Sequence, residues 1–338
     1  MAKPRNLIYS APGKIILFGE WDVLDGGPAL SIAVAPRFNL KIEPCDLPRL
    51  RLQNLSQFGP TLPLDLTKDF FNQEALPPHE KFWFPLLNTI RFFYKSLPEF
   101  KFFLESQSPG WDLSFHCEWP LEHGLGSSSA LVACWLAFFR NQHWIPSIHK
   151  SFEIGKEALR SFQSGLGSGL DLATQLWGRS VEMNQNQPHP GRLKKLPTNL
   201  YFLRTGKKKL TAASLKKEKP PTHALQNLRF TTQNFLNKID FEGNVSDTQW
   251  IESINNAYLS FEGLPLIHTP EVLNCRRLLF DNHLIEAFKT TGAGGGDCLL
   301  LWVPSEKQKE FVRFVNAHEL GNIYSGKFFT EGAKSHEF

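Results

Sequence analysis

The stretch PLEHGLGSSSALVAC, Pro120 to Cys134, places two glycines and three serines at the head of a long apolar run. From Ser127 the chain SSSALVACWLAFFRNQ is apolar on nearly every side for several turns, which predicts a buried helix with serines able to cap its start. Gly124 and Gly126 let the backbone approach a ligand with no Cβ in the way, and a helix start offers unpaired N–H groups and the positive end of its dipole. Gly124, Leu125, Gly126, Ser127, Ser128 and Ser129 are therefore a candidate phosphate cradle. The serine hydroxyls can bond phosphate oxygens or reach a magnesium ion. The plainer alternative is a turn followed by a serine-capped helix. The segment is not a Walker A loop, because no Gly-Lys-Ser/Thr follows the glycines.

Two further segments share this character. KTTGAGGGDC, Lys289 to Cys298, holds glycines at 292, 294, 295 and 296, and it runs straight into the apolar strand expected over Cys298 to Val303. A flexible linker would sit in polar surroundings, so tight or left-handed backbone geometry is the simpler reason for these glycines. SAPGKIILFGEWDVLDGGPAL, Ser10 to Leu30, carries Lys14 just after a Pro-Gly pair and Glu20 at the close of an apolar run. Lys14 can contact phosphate or orient a carboxylate. Glu20 can bind a polar substrate group or hold the lysine network. As isolated residues both are more often surface charges.

The rest of the chain sets the frame. A length of 338 residues suits two lobes, and 41% hydrophobic with 21% charged residues describes a globular protein rather than a disordered one. A net charge of +4 is too mild to imply nucleic acid and fits an enzyme that handles anionic small molecules. The one dense basic run is Lys207, Lys208 and Lys209, then Lys216, Lys217 and Lys219, which reads first as a solvated face. Five widely spaced cysteines without a CxxC pair suggest neither a disulfide framework nor zinc. With no signal-like or membrane-length apolar run, a cytoplasmic protein with no membrane partner is expected, as monomer or homodimer.

Along the chain, Leu7 to Ser10 reads as a strand broken at Pro12-Gly13 and followed by a second over Ile15 to Phe18. Further strands are expected at Asn39 to Ile42, Leu50 to Leu52 and Phe100 to Leu104, with a helix around Trp83 to Tyr94. The polar segment NQNQPHPGRLKKLP places a lobe boundary near residue 180. Beyond it come helices over Thr222 to Lys238, Asp247 to Phe261 and Thr269 to Asn282, then the strand at Cys298, giving helices on an antiparallel sheet and an α+β class.

Taken together and in order, the three glycine-rich segments resemble the three signature motifs of the GHMP kinases. The resemblance implies a two-lobed α+β GHMP kinase fold, with a ribosomal-protein-S5-like lobe over 1–180 and a ferredoxin-like lobe over 181–338. It also implies ATP and magnesium (Mg2+) as cofactors and phosphoryl transfer to a small-molecule hydroxyl. Nucleotide contacts then extend to Gly292, Ala293, Gly294 and Gly295. A fourth segment, QSGLGSGLDLATQLWG, Gln163 to Gly178, looks like the region that carries the catalytic aspartate in mevalonate-type members, which makes Asp171 the base candidate beside Lys14. Leu172, Ala173 and Leu176 begin a helical pattern, so Asp171 also reads as an N-cap. By the same resemblance Ser128 and Glu157 are magnesium ligands.

GEWDVLDGGPAL, GAGGGDC and GSGLDLA look more like phosphomevalonate kinases than like mevalonate kinases, whose Gly-Glu-His would need His where Trp21 stands. Trp21 and Arg179 depart from both patterns. Lys207 and Lys208 suit an acceptor that already bears a phosphate. Mevalonate kinase remains the close alternative, with a non-catalytic nucleotide-binding regulator and a diphosphomevalonate decarboxylase behind it.

Overall fold

Pro12 and Gly13 do not end the first strand. In the computed structural model β1 runs without interruption from Leu7 to Phe18, and what shifts there is the register against β2 (Ala29–Cys45), from Pro12 opposite Arg37 to Gly13 opposite Val34. The Pro-Gly pair thus marks a bulge rather than the turn expected between two strands. The structure describes residues 7–47, 49–57, 63–66, 70–71, 83–106, 110–120, 124–163, 165, 167–205, 219–265, 267–292, 298–325 and 331–337.

β1 and β2 form the centre of a mixed sheet with β3 (Leu50–Asn54), β4 (Leu64–Leu66), β5 (Gly110–Cys117), β6 (Ser180–Asn184), β7 (Gln187–Pro190) and β12 (Lys334–Glu337). Its order is β12-β1-β2-β5-β3-β4, and β6 joins β2 and carries β7. Pairing keeps β6 and β7, which lie past residue 180, and the C-terminal β12 in this first sheet.

Helix α1 (Phe84–Ser96) forms where the aromatic run predicts it. Phe100 to Leu104, expected as a strand, is instead part of α2 (Pro98–Ser106). Pro98 is pre-organised for a helix's first turn, and Phe100 and Phe103, three apart, both reach the aromatic core while Phe102 stays exposed. The glycine-led apolar run is α3 (Ser127–Asn141), buried without a break from Ser129 to Phe139. Its Trp135 and Phe139 meet Phe100 edge-on at ring-centroid distances of 5.2 and 5.1 Å. Helices α4 (Ile148–Phe162) and α5 (Leu170–Trp177) complete this layer.

A second, antiparallel sheet has the order β11-β8-β10-β9, from β8 (Leu200–Arg204), β9 (Ala287–Thr290), β10 (Cys298–Trp302) and β11 (Asn322–Ser325). With it go α6 (Thr222–Asn237), α7 (Asp247–Leu259), α8 (Pro270–Asp281) and α9 (Gln308–Ala317). Alternation divides its strands between two cores. Tyr201, Leu203, Phe288, Leu299 and Leu301 join a local core with Val272 and Phe311. Phe202, Ala287, Leu300 and Trp302 join the core of the first sheet. By the same parity Lys289 in β9 faces the first lobe, a position that decides its role below. Among the described residues no helix is long and apolar enough to cross a membrane.

Candidate active site

The loop before α3 is held by its carbonyls. Leu125 O accepts from the backbone N–H of Lys14 at 3.0 Å, and Gly126 O accepts from Gln175 Nε2 of α5 at 2.9 Å and from Ser129 Oγ at 3.0 Å. These bonds turn the carbonyls into the protein and leave the helix start, with its N–H groups and dipole, as the face offered to an anion. Gly126 is the N-cap of α3 at φ 80°, a left-handed conformation that glycine adopts without strain. A Cβ there would lie 3.0 Å from Gln175 Nε2 and 3.1 Å from Lys14 Cγ. Gly126→Ala is therefore expected to weaken ATP binding by about tenfold, about 1.4 kcal/mol, by displacing Lys14 and the loop. Titration with a non-hydrolysable ATP analogue checks this, and unchanged affinity in a folded variant refutes it.

Lys14 leaves β1 on the cleft side and its Nζ lies 3.0 Å from Asp171 Oδ1. The lysine side chain is 7% exposed and the aspartate 37%, so the pair has one end fixed in protein and one end open to a ligand. Asp171 is not a helix cap. Gly169 occupies the N-cap of α5, and Ser168 Oγ accepts the N–H of Leu170 at 3.2 Å. The aspartate sits in the first turn, where the helix dipole favours a negative charge.

Gly19, at φ 83°, lets β1 turn sharply, since a Cβ there would stand 2.2 Å from Pro28 O. The turn presents Glu20, whose Oε1 takes a hydrogen bond from Lys289 Nζ at 2.6 Å, while the same ammonium donates to Leu17 O at 3.0 Å. Burial pushes the Glu20 carboxyl above the usual range, and Lys289 pulls it partly back. Two residues on, Asp22 is gripped by both ends of the Arg229 fork from α6, at 2.7 and 2.8 Å. Carboxylates on the turn after β1 are thus held by cations of the second lobe.

Lys14, Glu20, Gly124, Leu125, Ser129, Asp171 and Gly292 line one cleft. Ser127 and Ser128 border an adjoining apolar pocket formed by Phe38, Trp83, Phe115 and Leu131. That pocket is of a kind that takes a flat aromatic base, and it has no local sequence signal because its walls come from four separate segments. Lys289 and Gln175, which position Glu20 and the loop, were also unassigned. A lysine inside the fully buried strand AFKT marks the first. Glu157, expected as a magnesium ligand, does not reach this cleft: it is exposed on α4, whose cleft-facing residue is Leu159. Among the described residues no cluster of three or more metal-ligating side chains occurs. Ala293, Gly294, Gly295, Lys207 and Lys208 lie outside the described residues.

No family model matches the chain. It is 24% identical to the mevalonate kinase of Pyrococcus horikoshii over 325 residues, covering 90% of this chain and 91% of that protein. Its fold matches the mevalonate kinase of Methanococcus jannaschii with a TM-score of 0.75, at 19% identity over 94% of this chain and 97% of that one. The phosphomevalonate kinase of Streptococcus pneumoniae, solved with phosphomevalonate and AMPPNP, matches with a TM-score of 0.67, also at 19% identity, over 94% and 98% of the two chains. The two-lobed α+β fold of the GHMP kinases is the fold of this chain.

Proposed function

We propose that this chain, a kinase of the GHMP superfamily in its mevalonate branch, transfers the γ-phosphoryl group of ATP to the hydroxyl of mevalonate. The observation that carries the reading is the Lys14–Asp171 pair at 3.0 Å, fixed beside the glycine loop at the start of α3. A protein that only binds nucleotide has no need of a lysine-held carboxylate at that place.

In this reading the base of ATP enters the aromatic pocket and its phosphates lie over Gly124 to Ser129. The acceptor hydroxyl approaches Asp171, which takes its proton as the oxygen bonds the γ-phosphorus and the bond to the β-phosphate oxygen breaks, releasing ADP. Lys14 keeps the aspartate aimed and offsets charge on the transferred group. Hydroxyl oxygen at the helix start and one open carboxylate suit a magnesium ion held mainly by phosphate oxygens and water. Ser128 is the residue that would share in holding it, and its chemistry there is to neutralise phosphate charge.

Support for mevalonate comes from the curated relative, a mevalonate kinase matched over nine-tenths of this chain, and from Lys14 being the sole cation among the described residues that line the cleft. Phosphomevalonate is the second reading, favoured by the motif GEWDVLDGGPAL and by the lysines at 207–209. A coupled assay for ADP release compares the two acceptors. Higher kcat/KM on mevalonate is expected. A preference for phosphomevalonate selects the second reading, and no ADP release from either refutes the proposal.

A further inference from the structure

β12 pairs with Leu7 to Ser10 of β1, and the three residues ahead of it are spent on a different element, α5. The N–H of Ala333 donates to Gln175 O at 2.7 Å, and Glu331 pairs with Gly178, the C-cap of α5, in an isolated β-bridge. The approach leaves no room for side chains. A Cβ on Gly332 would run into Leu176 O and stand 2.8 Å from Gly178 N, and one on Gly178 would run into Gly332 N. The φ of Gly332 lies outside the left-handed region, so contact with α5, not backbone conformation, demands glycine there. Arg37 of β2 fastens the same segment from the other side. Its Nη1 donates to Glu331 O at 3.1 Å, its Nη2 to Gly332 O at 2.9 Å and to Ser10 O at 3.1 Å, and its Nε to Ser10 Oγ at 3.0 Å. A planar guanidinium that gives its fork to two chain segments fixes their separation, which the single ammonium of a lysine cannot do.

Ser10 lies in β1 four residues before Lys14, and Gln175 lies in α5 four residues, about one turn, after Asp171. Residues 331–333 and Arg37 thus tie the strand that carries one member of the catalytic pair to the helix that carries the other. The side chain of the same Gln175 holds Gly126 O of the phosphate cradle at 2.9 Å. We infer that residues 331–333, held by Arg37, are a strap that seats α5 and so sets the approach of Asp171 to Lys14. Gly332 and Arg37 are then positioning residues for phosphoryl transfer, although neither is among the described residues that line the cleft. Asp171 is 37% exposed and open to the cleft, so its aim depends on where α5 is seated. Misplacing a reacting group by about 1 Å can cost about 100-fold in rate. The catalytic role of the strap rests on the reading of Asp171 as the group that takes the acceptor's proton.

Gly332→Ala in the full chain is the test, since one methyl group must lift the strap off α5 while every residue of the cleft stays the same. With ATP and mevalonate, kcat is expected to fall by about 10- to 100-fold. A non-hydrolysable ATP analogue should bind about two- to tenfold more weakly as Gln175 shifts from Gly126 O. A double-mutant cycle separates positioning from a purely structural role. On an Asp171→Asn background the same Gly332→Ala change should lower the residual kcat by no more than about twofold, because the group it misplaces is already gone. Arg37→Lys keeps the cation but cannot span Ser10 and both carbonyls, so it should show the same pattern at smaller amplitude, and it decides the matter if Gly332→Ala does not fold. An unchanged kcat in folded Gly332→Ala overturns the inference, as does an equal fall on both backgrounds. If the wild type releases no ADP with mevalonate or phosphomevalonate, the phosphoryl-transfer reading fails by itself and analogue binding tests the strap. Weakened affinity in Gly332→Ala then keeps the strap as the seat of α5 and the cradle, and unchanged affinity ends it.

Discussion

Asp171→Asn is expected to lower kcat by about 10²- to 10⁴-fold while the affinity for ATP stays nearly the same. The change keeps the size of the side chain and its reach to Lys14, yet an amide accepts no proton from an acceptor hydroxyl. Stability should change little, because the Asn side-chain oxygen still accepts a hydrogen bond from the 7%-exposed Lys14 and the position is itself 37% exposed. Loss of turnover at constant Tm and constant ATP affinity separates a chemical role from a structural one. An Asn variant with near wild-type turnover would show that the pair with Lys14 only braces α5. Lys14→Met is expected to lower kcat as well, but with weaker ATP binding, since Lys14 Cγ also packs where the Gly126 loop passes.

The parts of the site that were legible in the sequence are those whose signal is local. Glycines at 124 and 126, followed by an unbroken apolar run, predict a loop and a buried helix, and α3 has that form. The pairing of Lys14 with Asp171 has no local signal, because β1 and α5 meet only through the sheet-and-helix packing; resemblance to a family supplied it. Glu157, given as a magnesium ligand by resemblance, stands away from the cleft for a helical reason. It lies two residues before Leu159, which faces the cleft, and at about 100° per residue that places it about 200° round the axis, on the solvent side. Phe100 to Leu104 likewise forms a helix where its composition suggests a strand. Three phenylalanines and a leucine around Lys101 fit a strand by composition, but Pro98 fixes the entry and the three-residue spacing of Phe100 and Phe103 selects a helix.

What the sequence hid most completely is the contact between the lobes, and there the largest effect on stability is expected. Lys289 and Glu20 are 1% and 2% exposed as side chains, and they come from opposite ends of the chain to meet at 2.6 Å. Lys289→Met leaves the Glu20 carboxylate buried without its cation, a loss of about 3–5 kcal/mol, against a total stability of about 5–15 kcal/mol for a typical protein. The sign of the pH dependence follows from Glu20. Its carboxyl titrates above the usual range in the folded protein because burial disfavours the charge, and removing Lys289 raises it further. A group whose folded value is raised adds stability at low pH, below its unfolded value, and that contribution is lost as pH rises through the folded value. The deficit of Lys289→Met should therefore be small near pH 4, where Glu20 can be protonated in the folded state, and large at pH 8. Adding Glu20→Gln to Lys289→Met should recover most of the pH 8 loss, because the buried charge is gone. Thermal unfolding of the three variants at both pH values tests this. An equal deficit at pH 4 and pH 8, with no rescue by Glu20→Gln, would mean that Lys289 stabilises the lobes through its ammonium over the Phe18 ring at 5.7 Å rather than through its pairing with Glu20.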